Sequence, residues 1–295
     1  MAARIARRIA RLALICIAAL VLVEAGAVAW LKLHENELVF AEARSRLHLL
    51  KDLPDDAEQI SIPATGGNRL AGLLFHANRA NDTGYWILHL HGNADSAFSA
   101  WQVRHCQALR RMGFSVMDID YRGFGMTPGT ASEAGMYEDA EAAYKALLVR
   151  GLPPHQIIVL GHSLGSGPAV DLAMRHQAAA LVLFGAFTSI PGAAADKYPW
   201  LPIRYVASVQ FDSLDKIHDV HMPVIITHSR ADTLISYSHA LSLFEAANEP
   251  KRLITFESPA EDGFGGHVDT LFEHLDELKA TLADVLPQLP PPSAL

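Results

Sequence analysis

From residue 86 onward, short apolar runs alternate with longer stretches of helical pattern, and few architectures accept that arrangement. The runs lie at 86–90, 115–119, 157–160, 181–184, 224–227 and 252–256. They are rich in Ile, Val and Leu and lack strict polar–apolar alternation, as strands buried on both faces do. Helical stretches such as 132–150 and 164–176 fill the gaps. This order predicts a mostly parallel sheet with helices on both faces. Two earlier runs, 57–62 and 69–76, flank the turn signal Thr65-Gly66-Gly67-Asn68. They predict an antiparallel pair that opens the sheet and brings it to eight strands. Ligands of such sheets bind at the carboxyl ends of the strands.

Half of the 295 residues are hydrophobic and 19% are charged, enough for one large core. The expected division is a basic tip (1–11), an apolar segment (12–33), a linker (34–56), a catalytic domain (57–286) and a Pro-rich tail (287–295). The net charge of −8 comes with no basic face beyond the N-terminus, which argues against a nucleic-acid partner. The two cysteines, Cys16 in the apolar segment and Cys106 in a helical stretch, are not expected to pair. There is no CxxC, no HExxH and no His pair at helical spacing beside a carboxylate, so neither metal nor cofactor is expected.

Residues 12–31 read LALICIAALVLVEAGAVAWL, 20 residues with the single charge of Glu24. At a rise of about 1.5 Å per residue they span a bilayer core of about 30 Å. Arg4, Arg7, Arg8 and Arg11 precede the segment and predict a cytoplasmic N-terminus, with the domain on the far side. Trp30 then falls at the far interface. A cleaved signal peptide is the alternative: Glu24 is costly in lipid, and Ala25-Gly26-Ala27 is a small-residue cleavage site. Either reading exports the domain.

Gly161-His162-Ser163-Leu164-Gly165 follows the run IIVL and precedes a helical stretch. That is the strand–turn–helix context of a nucleophile elbow, in which the serine takes a strained backbone and the glycines remove side chains that would collide. A serine hydroxyl needs a base, and the base needs an orienting acid. In this order of elements the acid and the base follow the serine. Asp232 lies in the loop after VIITH, and His267 in the glycine-rich loop after LITFE. His89, His91 and His228 sit on or just after strands and read as structural, and His162 is too close along the chain to reach Ser163. Among rival acids, Asp212 and Asp219 precede VIITH and belong at the wrong end of the sheet. Asp262 and Asp269 crowd His267 in sequence. The backbone N–H groups of Asn93, in His91-Gly92-Asn93 after ILHL, and of Leu164 are the expected oxyanion donors. Taken alone, Gly92-Asn93 would read as an ordinary turn.

HGNADS (91–96), DYRGFGMTPGTASEAGMYEDAEAA (120–143), GHSLGSGPA (161–169), YPWLP (198–202) and FDSLDKI (211–217) resemble the membrane-anchored serine hydrolases of the α/β-hydrolase superfamily. That group includes protein depalmitoylases and is often labelled peptidase-like. The resemblance spans about residues 38 to 285. It implies the α/β-hydrolase fold, the triad Ser163–His267–Asp232 and an N-terminal anchor. Two positions depart from the group: Ser229 stands where glycine is usual, and Ser236 where proline is. Asp120, Tyr121 and Arg122 read better as loop scaffolding than as a site wall. Tyr198 to Pro202 reads equally as an apolar lip or as core.

Only 38 residues, 185–222, separate the strands at 181–184 and 224–227, room for one or two short helices and no large cap. The expected site is open and takes small-molecule, lipid or other acyl esters or thioesters. A serine peptidase with the same triad is the alternative, although no acid for binding a substrate amine is evident. A catalytically silent binding module is a third reading; such proteins typically lose a triad member, and this chain keeps all three.

Overall fold

The computed structural model describes residues 1–40, 49–93, 95–257, 263–268 and 273–286. Helix α1 (Ala2–Val39) leads into β1 (Glu58–Pro63), β2 (Arg69–Phe75), β3 (Trp86–Leu90), α2 (Ala100–Arg111) and β4 (Ser115–Ile119). Then follow α3 (Glu133–Val149), β5 (Ile157–His162), α4 (Ser166–Arg175) and β6 (Ala180–Phe184). Three short helices, α5 (Ile190–Lys197), α6 (Ile203–Val206) and α7 (Leu214–Ile217), precede β7 (Val224–Ser229). The domain closes with α8 (Tyr237–Ala246), β8 (Lys251–Phe256) and α9 (Leu275–Val285).

The eight strands form one sheet in the order β1-β2-β4-β3-β5-β6-β7-β8. The first two strands pair antiparallel, β2 meets β4 antiparallel, and every other neighbour is parallel. Alternate residues of each central strand feed opposite faces. In β5, Ile157 and Val159 pack with α3, α4 and α8, whereas Ile158 and Leu160 pack with α2 and α9. This two-sided burial is why the runs lack polar alternation. The chain order reverses at β3, which lies between β4 and β5. Ser163 therefore follows β5 at the point where the sheet's connections diverge, the usual place for a ligand in such a sheet.

α1 does not end near residue 33 but continues as helix to Val39, and its last turns pack on the domain. The side chain of Asn36 donates to the Ala131 carbonyl at 3.1 Å, and Phe40 is buried against Phe211. Within 4–39 the helix is long and apolar enough to cross a membrane. The 185–222 connection holds three helical segments rather than one or two, and no separate cap domain. The Pro-rich tail lies outside the described residues.

Candidate active site

Ser163 has φ +49°, a left-handed conformation that a residue with a Cβ enters only under strain. The elbow is locked from both sides. A Cβ on Gly161 would meet Ala169 Cβ at 2.5 Å, and one on Gly165 would strike the carbonyls of Leu90 and His91. The crowding comes from α4, from the Gly165 carbonyl facing Gly161 and from the end of β3. A 3₁₀ turn over Ser163–Gly165 comes first, and α4 begins only at Ser166.

His267 Nε2 lies 2.9 Å from Ser163 Oγ, and His267 Nδ1 lies 2.7 Å from Asp232 Oδ2. Both the histidine and the aspartate side chains are almost wholly buried. Burial pushes the Asp232 carboxyl up, but hydrogen bonds from His228 and His267 outweigh it and hold the group well below the usual carboxylate range. The aspartate is thus ionised and accepts from Nδ1–H, which leaves His267 Nε2 as acceptor for the serine O–H. Asp232 Oδ1 takes the backbone N–H groups of Leu234 and Ile235, each at 2.8 Å. All four interactions fix the carboxylate's plane.

The loops carrying acid and base are tied together. Ser229 Oγ donates to the Gly265 carbonyl at 2.7 Å, and the Thr233 N–H to the Phe264 carbonyl at 3.0 Å. Ser229, the departure from the related group, is thus a clasp. Gly265 has φ +68°, and a Cβ there would collide with the Ala231 carbonyl.

Asn93 and Leu164 border the same cavity as Ser163. The Asn93 side chain donates to the Val39 carbonyl at 2.8 Å, joining the loop after β3 to the end of α1. The cavity measures about 800 Å³ and is walled by α1 on one side and by α5 and α6 on another. α1 adds a wall beside the short helices of the 185–222 connection, and the cavity remains partly open to solvent. Tyr198, Trp200 and Leu201 line the cavity and are not core.

The DYRG stretch is scaffolding. Asp120 accepts from the Ala97 N–H at 2.8 Å and Ser96 Oγ at 3.0 Å, while Arg122 pairs with Asp139. Asp219 sits at the exposed end before β7, and Asp212 before α7. Asp262 and Asp269 lie outside the described residues. Among the described residues, the one cluster with metal-ligand chemistry is His89 of β3, Cys106 of α2 and Asp118 of β4, all wholly buried. Cys16 and Cys106 are both free.

A family model described as serine aminopeptidase, S33, matches residues 84–214. Human alpha/beta hydrolase domain-containing protein 17B is 31% identical over 236 residues, spanning 80% of this chain and 78% of that protein. The chain belongs to the α/β-hydrolase family. An uncharacterised Mycobacterium tuberculosis protein is similarly related to this α/β-hydrolase, 31% identical over 243 residues that span 82% of the chain and 85% of the relative. Among solved structures, a Pyrococcus furiosus esterase superposes with a TM-score of 0.63 at 19% identity, covering 82% of the hydrolase and 97% of the esterase. A puromycin-hydrolysing peptidase of M. tuberculosis gives 0.65 at 17% identity, covering 83% of the hydrolase and 42% of the peptidase. At such identities these neighbours speak for the fold alone.

Three residues of the hydrolase's site escaped the sequence reading. His228 reads as structural, yet its Nε2 lies 3.2 Å from Asp232 Oδ2 and 3.0 Å from the Ile235 carbonyl. Both partners are acceptors, so Nε2 carries the proton. His162 binds the main chain of His267. Gly185 (φ +56°) sits under the His267 ring, where a Cβ would be 3.0 Å from Cε1. Only the position of Gly185 right after a strand, at the active end of the sheet, hinted at this.

Proposed function

We propose that this protein is a serine hydrolase that cleaves carboxylic esters or thioesters through an acyl-enzyme on Ser163. The observation that carries the reading is one imidazole bridging Ser163 Oγ and Asp232 Oδ2 at 2.9 and 2.7 Å. His267 Nε2 takes the serine proton as Oγ attacks the acyl carbonyl. The oxyanion that forms is met by the amides of Asn93 and Leu164, each such donor contributing about 10²–10³ in rate. His267 then protonates the leaving alcohol or thiol. Water attacks the acyl-enzyme by the same route, releasing the carboxylic acid and restoring Ser163.

Esters and thioesters are favoured over amino-terminal peptide cleavage by the lining of the cavity. Its one acidic side chain, Glu35, already accepts from the backbone N–H groups of Ser208 and Val209 at 2.5 and 2.9 Å. No uncommitted carboxylate among the described lining residues is left to hold a substrate ammonium.

The apolar helix is proposed as a permanent anchor, with Arg4, Arg7, Arg8 and Arg11 on the cytoplasmic side and the hydrolase domain across the membrane. Recovery of a soluble protein whose sequence begins at Val28 or Trp30 would replace the anchor with a cleaved signal.

Ser163→Ala tests the enzymatic reading. Hydrolysis of nitrophenyl esters and labelling by a fluorophosphonate should both vanish in a folded protein. Undiminished turnover would remove Ser163 as the nucleophile, and amino-acid amides cleaved faster than esters would turn the reading to a peptidase.

A further inference from the structure

The stretch that ends the membrane-crossing segment also walls the catalytic cavity. Ala27, Trp30 and Leu31 belong to the apolar run, and all three line the cavity that holds Ser163. On α1, Ala27, Leu31, Glu35 and Val39 recur every four residues, which places them on one face of the helix. These four are half-buried against the domain. The docking is specific. Lys32 Nζ donates to Ser208 Oγ at 2.7 Å, Glu35 accepts two amides of the same loop, and the Val39 carbonyl accepts from Asn93. The cavity is thus fixed at the level where the helix leaves the bilayer.

The opposite wall carries a matching signature. Trp200 is 67% exposed and Tyr205 91% exposed, on the segment from α5 to α6 whose residues also line the cavity. Large exposed aromatics beside a membrane-crossing helix suit the interface between lipid and water, where indole and phenol rings settle. An 800 Å³ chamber so placed, with largely apolar walls and Ser163 among its lining, fits an acyl chain.

We infer that α1 is part of the substrate site: the acyl chain of a bilayer lipid ester reaches Ser163 along the face of α1 bearing Ala27 and Leu31, with Trp200 and Tyr205 resting in the membrane interface. This rests on the esterase reading above and adds to it the source of the substrate and the residues that select it. The anchor then sets specificity as well as location. A soluble short-chain ester needs none of this wall, whereas a long chain needs all of it.

The experiment uses the full chain in phosphatidylcholine vesicles. Leu31→Trp on α1 and, separately, Ala194→Phe on α5 each fill the cavity from one side. Each should lower kcat/KM for a nitrophenyl palmitate relative to a nitrophenyl acetate by about tenfold or more. An unchanged ratio in both variants overturns the inference and leaves the esterase reading standing. A parent protein that hydrolyses no ester overturns both. The unsubstituted protein gives an independent readout: a long-chain fluorophosphonate bearing a diazirine at its far end, once bonded to Ser163, should crosslink to α1 between Ala27 and Val39. Crosslinks confined to other segments overturn the inference. A vesicle-held monoacylglycerol should be cleaved. If it is left intact while an S-acylated peptide with the same chain is cleaved, the lipid source is wrong.

Discussion

The Nε2 of His162 lies 3.2 Å from the main-chain oxygen of His267, so the neighbour of the nucleophile holds the backbone of the residue proposed as its base. Its ring is stacked on Phe184 at 4.8 Å. Burial first, and then the nearby His267 and His89, push the His162 pKa well below its ordinary value. The ring is therefore neutral, with its one proton on Nε2 facing the carbonyl.

His162→Phe keeps a ring against Phe184 and removes the bond to His267. One neutral hydrogen bond contributes about 1 kcal/mol, so acylation should slow by about fivefold to tenfold with folding intact. Single-turnover acylation by a nitrophenyl ester reads this directly. A parental rate in the folded variant would mean that the loop holds His267 without this contact.

Gly185→Ala tests the other side of the same ring. At φ +56° the alanine is strained by about 1–2 kcal/mol, and its methyl would lie 3.0 Å from His267 Cε1 and 3.1 Å from Nδ1. The imidazole must move, and a displacement of about 1 Å can cost about 10² in rate. Fluorophosphonate labelling should slow accordingly while the melting temperature drops modestly. A variant that melts lower but labels normally would show that the ring tolerates the methyl.

The sheet was legible because its strands are buried on both faces. The runs 86–90 and 115–119 coincide with β3 and β4, and the other boundaries shift by one or two residues. Ser163, His267 and Asp232 were legible because each follows a strand at the active end of the sheet, in an order that leaves few rivals. The jobs of His162 and Gly185 were not, because they depend on the loop of His267 folding back over residues far away in the chain; that of His228 was not, because its partners Asp232 and Ile235 lie only four and seven residues on, and the curl of that loop is not marked in the sequence. The wall formed by α1 was hidden for a related reason. An apolar run reads as lipid-facing all round, and the half-buried stripe from Ala27 to Val39 emerges only where the helix meets α6.

Asp232→Asn keeps the size of the side chain and loses its charge. The carboxylate now accepts from two imidazoles and two amides. An amide there presents a donor toward one of them and unsettles the Nδ1–H tautomer of His267. Such a change in a serine triad costs up to about 10⁴ in turnover. His228→Gln, which disturbs only a shared contact, should cost far less. If the two variants lose acylation rate equally, His228 matters as much as the charge and the assignment of roles must change.

Stability should fall on both sides of a maximum near neutral pH, through different histidines. Burial alone would lower the His91 pKa, but the Asp120, Asp118 and Asp95 carboxylates around it raise it to about 9. Its contribution is complete below the unfolded value of about 6.5 and is lost as pH rises through about 9. His105 is the reverse. Burial, with His162, His89 and Arg104 nearby, lowers it to about 2. The unfolded chain then binds the extra proton, and stability declines as pH falls below about 6.5, at about 1.4 kcal/mol per pH unit for each such group. His162, also depressed, adds to that acid limb. Asp232, held low, joins it only below about pH 4. Urea denaturation of the full chain in detergent micelles from pH 4.5 to 9.5 should trace this shape. His105→Phe keeps a ring beside Trp101 and should remove about half the acid slope between pH 6.5 and 4.5, leaving the alkaline limb unchanged. His91→Gln should flatten the alkaline limb alone. An acid limb identical to the parent's in His105→Phe would mean that His105 is protonated inside the fold, and that the loss below neutral pH belongs to other groups.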